Sequence, residues 1–175
     1  MAADRNRQDA LYAEAAAAYG PALGRLARSY ERDADKQRDL LQDVHIALWR
    51  SFAGFEDGCS LRTWVYRVAH NIGASHIVRE RRRGGHRLVG LEEVEATLAS
   101  REGPPALERS RALDRVYELI HRLKPLDRQI ILLYLEGSDA ASIADVTGVS
   151  PGNAATRVHR IKSILARRYH GGSTT

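Results

Sequence analysis

The chain is 175 residues long, 43% apolar and 28% charged, with a formal net charge of +5. That composition suits a globular protein with room for one domain or two small ones. The single Cys59 excludes an internal disulfide and any cysteine-rich zinc site. No apolar run approaches the ~20 residues of a membrane span. The opening MAADRNRQDALYAE is too charged for a secretory signal, so the expected location is the cytoplasm, with no membrane partner.

Taken in order, residues 8–31 predict a first helix, with Gly20-Pro21 marking a break or a new first turn. A second helix is expected over 36–52, where Leu40, Leu41, Val44, Ala47 and Leu48 follow a 3.6-residue period. AGFEDGCS (53–60) reads as a loop. Its last residue, Ser60, suits the cap of a third helix over 61–82, whose apolar stripe is Leu61, Val65, Val68 and Ile72. Residues 84–110 carry Gly-Gly at one end and Pro-Pro near the other. They read as a flexible linker with one weak helical turn around 91–99. Helical periodicity resumes at 111–123, and Pro125 restarts it. Residues 126–136, LDRQIILLYLE, are apolar nearly all round and predict a buried central helix, stopped by Gly137. Two shorter helices follow, at about 140–147 and 151–168. No strand pattern and no internal repeat is present. The expected fold class is all-α: two small helical domains, 1–83 and 111–175, joined by the linker 84–110, the second containing a helix-turn-helix.

Charge is unevenly spread. Residues 1–61 hold eight cations against ten anions, 62–83 six against one, 84–110 three against five, and 111–175 ten against six. Two separated basic blocks on an otherwise near-neutral chain point to two contacts with a polyanion.

The second block has its own turn chemistry. In AASIADVTGVSPGNAATRVHRIK (140–162), small Ala144 permits close helix approach, Gly148 can adopt the left-handed backbone, Ser150 can cap the next helix and Pro151 suits its first position. Each step of a helix-turn-helix thus has a mechanism. On a helical wheel Ala154, Val158, Ile161 and Leu165 share one side. Gly152, Thr156, His159, Arg160, Ser163 and Arg167 lie opposite, with Arg157 and Lys162 on the flanks. Residues 153–170 contain five Arg or Lys and no acid, a face suited to a DNA groove or to plain solvation.

In the 61–83 helix the wheel leaves Thr63, Tyr66, Arg67, His70, Ala74 and Ile77 outside, with Arg62 and Asn71 beside them and RERRR at the end. Aromatic and basic groups on one open face can stack unpaired bases and hold their phosphates, though such a face also arises by chance. In the 36–52 helix Arg38, Asp39, Gln42, His45, Ile46 and Trp49 lie opposite the apolar stripe. That mixture suits either a protein docking face or contact with the first helix.

Four stretches together carry a resemblance: DLLQDVHIALWRSF (39–52), SLRTWVYRVAHNI (60–72) with RERRR (79–83), LKPLDRQIILLYLEG (123–137) and IADVTGVSPGNAATRVHRIK (143–162). Across nearly the whole chain, and in this order, the sequence resembles a bacterial RNA polymerase sigma factor of the extracytoplasmic-function (ECF) type. The resemblance implies a non-enzymatic subunit that needs no cofactor or metal. Its partners would be core RNA polymerase and promoter DNA, double-stranded at the minus-35 element and melted at the minus-10 element. Such chains often have an anti-sigma factor as a further partner.

By position, Asp39, Gln42, Asp43 and Trp49 match the polymerase-binding region. Arg62, Thr63, Tyr66, Arg67, His70 and Asn71 match the minus-10 and melting region, and Thr156, Arg157, His159 and Arg160 the minus-35 recognition helix. The chain departs from the family's usual pattern at Ala140, Ser142, Ala154 and Ala155. Two elements roughly 17–19 base pairs apart are separated by about 60 Å. The 27-residue linker would average only about 30 Å as a free coil but reaches about 90 Å extended. The polymerase is therefore expected to stretch it, and the free chain to bind promoter DNA poorly. Two alternatives remain: a stand-alone helix-turn-helix regulator, in which 1–83 dimerises or senses, and an enzyme such as a nuclease. The histidines offer the latter no metal-site spacing.

Overall fold

A computed structural model describes residues 2–83 and 108–170. The chain divides into two compact units, Met1–Gly85 and His86–Thr175, and the described residues contain helices and no strand. The expected linker lies outside the described residues apart from 108–110, which already belong to a helix, and the weak turn around 91–99 lies outside them entirely.

The first unit is a three-helix bundle: α1 (Ala2–Tyr30), α2 (Ala34–Ser51), a single 3-10 turn (Phe52–Gly54) and α3 (Leu61–Arg82), with each helix packed against the other two. α1 does not break at Gly20-Pro21. It runs on through Pro21, correcting the expectation. Proline removes the amide that would bond the Ala17 carbonyl, but Ala17 and Pro21 both lie on the exposed side, where water can take that amide's place.

The joints are capped by side chains. Asp33 accepts from the Asp35 and Lys36 amides at 3.0 Å, and Glu31 accepts from Arg32 N at 2.7 Å and Asp33 N at 3.0 Å. Ser60 Oγ accepts from Thr63 N at 3.1 Å, as its place before α3 predicts. Leu23, Leu26, Leu40, Val44, Leu48, Val65 and Ala69 form the core. Phe55, 3% exposed, meets Phe52 and Trp64 edge-on and anchors the loop into α3.

The second unit holds α4 (Glu108–Arg122), α5 (Pro125–Leu135), α6 (Ala140–Thr147) and α7 (Pro151–His170). α5 is the buried helix its composition predicts: Ile130, Ile131, Leu132 and Leu133 are inside. So, unexpectedly, are Asp127 and Arg128. Arg128 Nη2 donates to the carbonyls of His121, at 2.5 Å, and Leu123, at 3.2 Å, closing the end of α4. α5, α6 and α7 contact one another pairwise. Asp139 caps α6 through Ser142 N at 2.8 Å, and Gly137 (φ 79°) and Gly148 (φ 77°) turn the chain at either end of α6.

Candidate nucleic-acid interfaces

α7 presents its faces as the wheel predicts. Ala154, Val158 and Ile161 are buried, joined by Ile164, while Leu165 is half-buried. Gly152, Thr156, His159, Arg160 and Arg167 are exposed, and Ser163 is half-buried. The turn before α7 is built as read: Gly148 is left-handed, Ser150 Oγ accepts from Asn153 N at 3.2 Å, and Pro151 opens the helix.

Two details were not visible in the wheel. The Thr156 hydroxyl donates back to Gly152 O at 2.9 Å, so it offers an outside partner its methyl and an acceptor oxygen rather than a proton. Arg157 is half-buried and paired through Nη1 with the Asp127 carboxylate, while its Nε donates to Asn153 Oδ1 at 2.8 Å. Asp127 was not among the expected site residues, and Asn153 was foreseen only as an asparagine of α7 able to meet a base edge. The only sequence signal for Asp127 was a charge in the first turn of an otherwise apolar helix.

α3 departs from expectation. Its predicted open face is largely inside: Thr63, Tyr66, His70 and Ile77 are all buried, Ala74 is half-buried, and of this face and its flanks only Arg62, Arg67 and Asn71 carry polar groups to the surface. The expected core stripe is correspondingly displaced: Val65 is buried, but Leu61, Val68 and Ile72 are half-buried. The cause is α1. Tyr19 meets the Tyr66 ring at 5.9 Å, and Tyr30 OH lies 2.9 Å from His70 Nδ1, so α1 supplies aromatic and hydrogen-bonding partners for side chains that read as exposed. Gly73 lies under the Tyr30 ring, where an added Cβ would come within 2.8 Å of it. Burial pushes the His70 imidazole down to about 3, so it is neutral at physiological pH. The Arg62 guanidinium lies 5.6 Å above Tyr66. Thr63 and Ser60 share a hydroxyl–hydroxyl bond of 2.9 Å. The basic end of α3 is open, with Arg81, Arg82 and Arg83 exposed.

α2 combines both of its alternatives. Asp39, Gln42, Asp43 and Ile46 form one exposed strip, with Ile46 42% accessible. Trp49 and His45 turn toward α1 instead: Trp49 Nε1 donates to Asp9 at 2.7 Å, and His45 Nδ1 lies 3.1 Å from Tyr12 OH. Trp49 is therefore half-buried beside α1, one helical turn on from Ile46. Asp43 lies 3.6 Å from Arg79 of α3. The described residues contain no cluster of three or more potential metal ligands, and no described helix is long and apolar enough to cross a membrane.

α2 and α3 fall within one recognised family region, and α7 lies within a second except for its last turn. Sigma-70 region 2 matches residues 15–83 and sigma-70 region 4 matches residues 113–165, so the chain belongs to the sigma-70 family, as a member of its ECF type. It is 27% identical to the RNA polymerase sigma-H factor of Pseudomonas aeruginosa over 154 residues, 82% of this chain and 77% of that one. It is 28% identical to the ECF RNA polymerase sigma factor SigM of Mycobacterium tuberculosis over 149 residues, 83% of this chain and 70% of that one. The fold is similar to that of CnrH, solved in complex with the cytosolic domain of CnrY, with a TM-score of 0.66 at 20% identity over 98% of this chain and 99% of that one. Membership assigns the chain to promoter-specific transcription initiation.

Proposed function

We propose that the chain binds core RNA polymerase and directs it to promoters by gripping two DNA elements, duplex minus-35 DNA with α7 and melted minus-10 DNA with α3. Its own residues bind and position; the polymerase performs the chemistry, in the cytoplasm.

The observation that carries this reading is the division of α7: an apolar side held by α5 and α6, and an outer side of small, polar and basic groups that begins at a capped left-handed turn. Arg160 and His159 are assigned to phosphates and base edges, Thr156 to an apolar or acceptor contact, and Arg157 to the flank. On α3 the minus-10 contacts fall to Arg62, Arg67 and Asn71, which reach the surface. Tyr66, His70 and Thr63 act from behind, as the packing that holds these three in place. The strip Asp39, Gln42, Asp43 and Ile46 is assigned to the polymerase, with Trp49 holding α2 against α1. An anti-sigma factor is a further proposed partner, by likeness to CnrH, which was solved with a second protein, CnrY.

The test is run-off transcription from a promoter library with core polymerase and the full chain. Core polymerase plus the chain is expected to initiate at a shared pair of motifs, with Arg67→Ala and Arg160→Ala each lowering the yield at least tenfold. Tight specific promoter binding by the chain alone, with no added initiation when polymerase is present, would favour a stand-alone regulator.

A further inference from the structure

The arrangement around Arg157 assigns a base-reading role to a different residue. Arg157 is held at two points, by a buried carboxylate and by an amide. Its Nη1 is paired with Asp127, whose side chain is 7% exposed, and its Nε donates to Asn153 Oδ1 at 2.8 Å. With Nη1 on a buried carboxylate and Nε on Asn153, the guanidinium is fixed in place, and only its Nη2 hydrogens are outside these two bonds.

Its effect on Asn153 is specific. An arginine Nε is only ever a donor, so it fixes which way the neighbouring amide faces. With Oδ1 turned to Arg157, the other arm of the Asn153 amide, its Nδ2 hydrogens, is the one set toward an outside partner. Asn153 is exposed, one helical turn before Arg157 and on the same outer side as Thr156. Thr156 has already committed its hydroxyl proton to Gly152 O. Ala155, next to both, offers only a methyl group.

We propose that Asn153 is a specificity-determining residue of the α7 interface, presenting a fixed hydrogen-bond donor to the acceptor edge of one base, and that Arg157 is the residue that positions it. In the major groove guanine offers N7 and O6, adenine N7 and thymine O4, whereas cytosine offers the N4 donor. The fixed amide therefore discriminates chiefly against cytosine at one position. This rests on the assignment of α7 to duplex DNA.

Holoenzyme transcription from a library with every minus-35 position randomised tests it. Asn153→Asp keeps the acceptor that Arg157 needs and removes the outward donor, and an acid in the first turn of a helix is well tolerated. It is expected to lose about five- to twentyfold on the wild-type element and to shift the preference at one position toward cytosine, leaving the other positions unchanged. Arg157→Lys keeps the charge but loses the Nε that orients the amide. It is expected to relax selection at that same position.

An unchanged base preference in Asn153→Asp overturns the proposal. So does a uniform loss on all sequences with Arg157→Lys, which would mark Arg157 as a phosphate contact. If the wild-type holoenzyme shows no minus-35 preference at all, the assignment of α7 itself fails. That outcome is read in the wild-type arm before any variant is compared.

Discussion

α3 and α7 carry similar sequence patterns and have opposite fates. Each has an apolar stripe, a run of polar and aromatic or basic groups on the other side, and a basic end. Each is packed by two helices, α7 by α5 and α6, and α3 by α1 and α2. On α7 the buried set is apolar, Ala154, Val158, Ile161 and Ile164, whereas on α3 the buried arc takes in Thr63, Tyr66 and His70 as well as Val65 and Ala69. A polar side chain on a helical wheel is outside only if no neighbour brings it a partner. Tyr30 and Ser60 supply those partners to α3, whereas Thr156 on α7 bonds back into its own helix.

The largest effect should come from removing an aromatic ring of α3 that reads as exposed. Tyr66→Ala is expected to destabilise the first unit by about 3–5 kcal/mol, the range for deleting a buried aromatic. Both tryptophans, Trp49 and Trp64, lie in that unit, so their fluorescence follows its unfolding separately from far-UV circular dichroism, which sees the helices of both units. A drop below about 1 kcal/mol would mean that Tyr66 faces solvent after all. Gly73→Ala should follow at about 2–3 kcal/mol. Its Cβ would meet the Tyr30 ring at 2.8 Å and force apart a pairing that also holds His70.

These two variants also mark where the sequence was legible. The turn chemistry around α6 and α7 could be read residue by residue, because Gly148, Ser150 and Pro151 act within a few residues of themselves. The extents of the later helices were readable for the same reason, although α1 starts at Ala2, six residues before the expected start, and the burial of α5 follows from its apolar run. What could not be read depends on long-range partners. Pro21 reads as a break because local rules cannot say that its missing bond falls on the solvent side. Arg128 reads as a surface cation because nothing nearby in the chain shows that the end of α4 will need its two donors. Arg157 reads as a free DNA-binding group because Asp127, thirty residues earlier, is invisible to a wheel. The exposure of Asp39, Gln42 and Ile46 on α2 was foreseeable from their spacing. The inward turn of Trp49 needed Asp9.

A smaller effect separates the helices by pH. His70 is neutral in the folded state because burial holds it near 3, whereas the unfolded residue titrates near 6.5. Between those values the unfolded chain binds the extra proton, so the stability from His70 is complete above about pH 6.5 and is lost as pH falls toward 3. From pH 7.5 to pH 5 the first unit should lose about 2 kcal/mol, at up to about 1.4 kcal/mol per pH unit. His45, also pushed down by burial, acts in the same direction. In Glu31 burial opposes ionisation, but the Asp33 amide, His76 and the Arg32 amide together hold its carboxyl below the usual 4.5, so its contribution is lost only at more acid pH. His70→Gln should flatten most of the pH 5–7.5 dependence of the tryptophan-detected melt. An equally steep curve in that variant would place the titrating group elsewhere.

The smallest stability effect is expected on α7, and its smallness matters. His159→Ala and Arg160→Ala remove groups that are exposed in the folded chain. Alanine is a good helix former, so the far-UV melt should shift by no more than about 1 °C. The same two substitutions should nonetheless depress polymerase-dependent initiation and reduce its sensitivity to added salt, because a helix that touches fewer phosphates displaces fewer counterions. The buried polar residues of α3 would thus matter for folding first and function second, and His159 and Arg160 of α7 for function first. If Arg160→Ala melted several degrees early, α7 would be held on its outer side too, and the difference between the two helices would be one of degree.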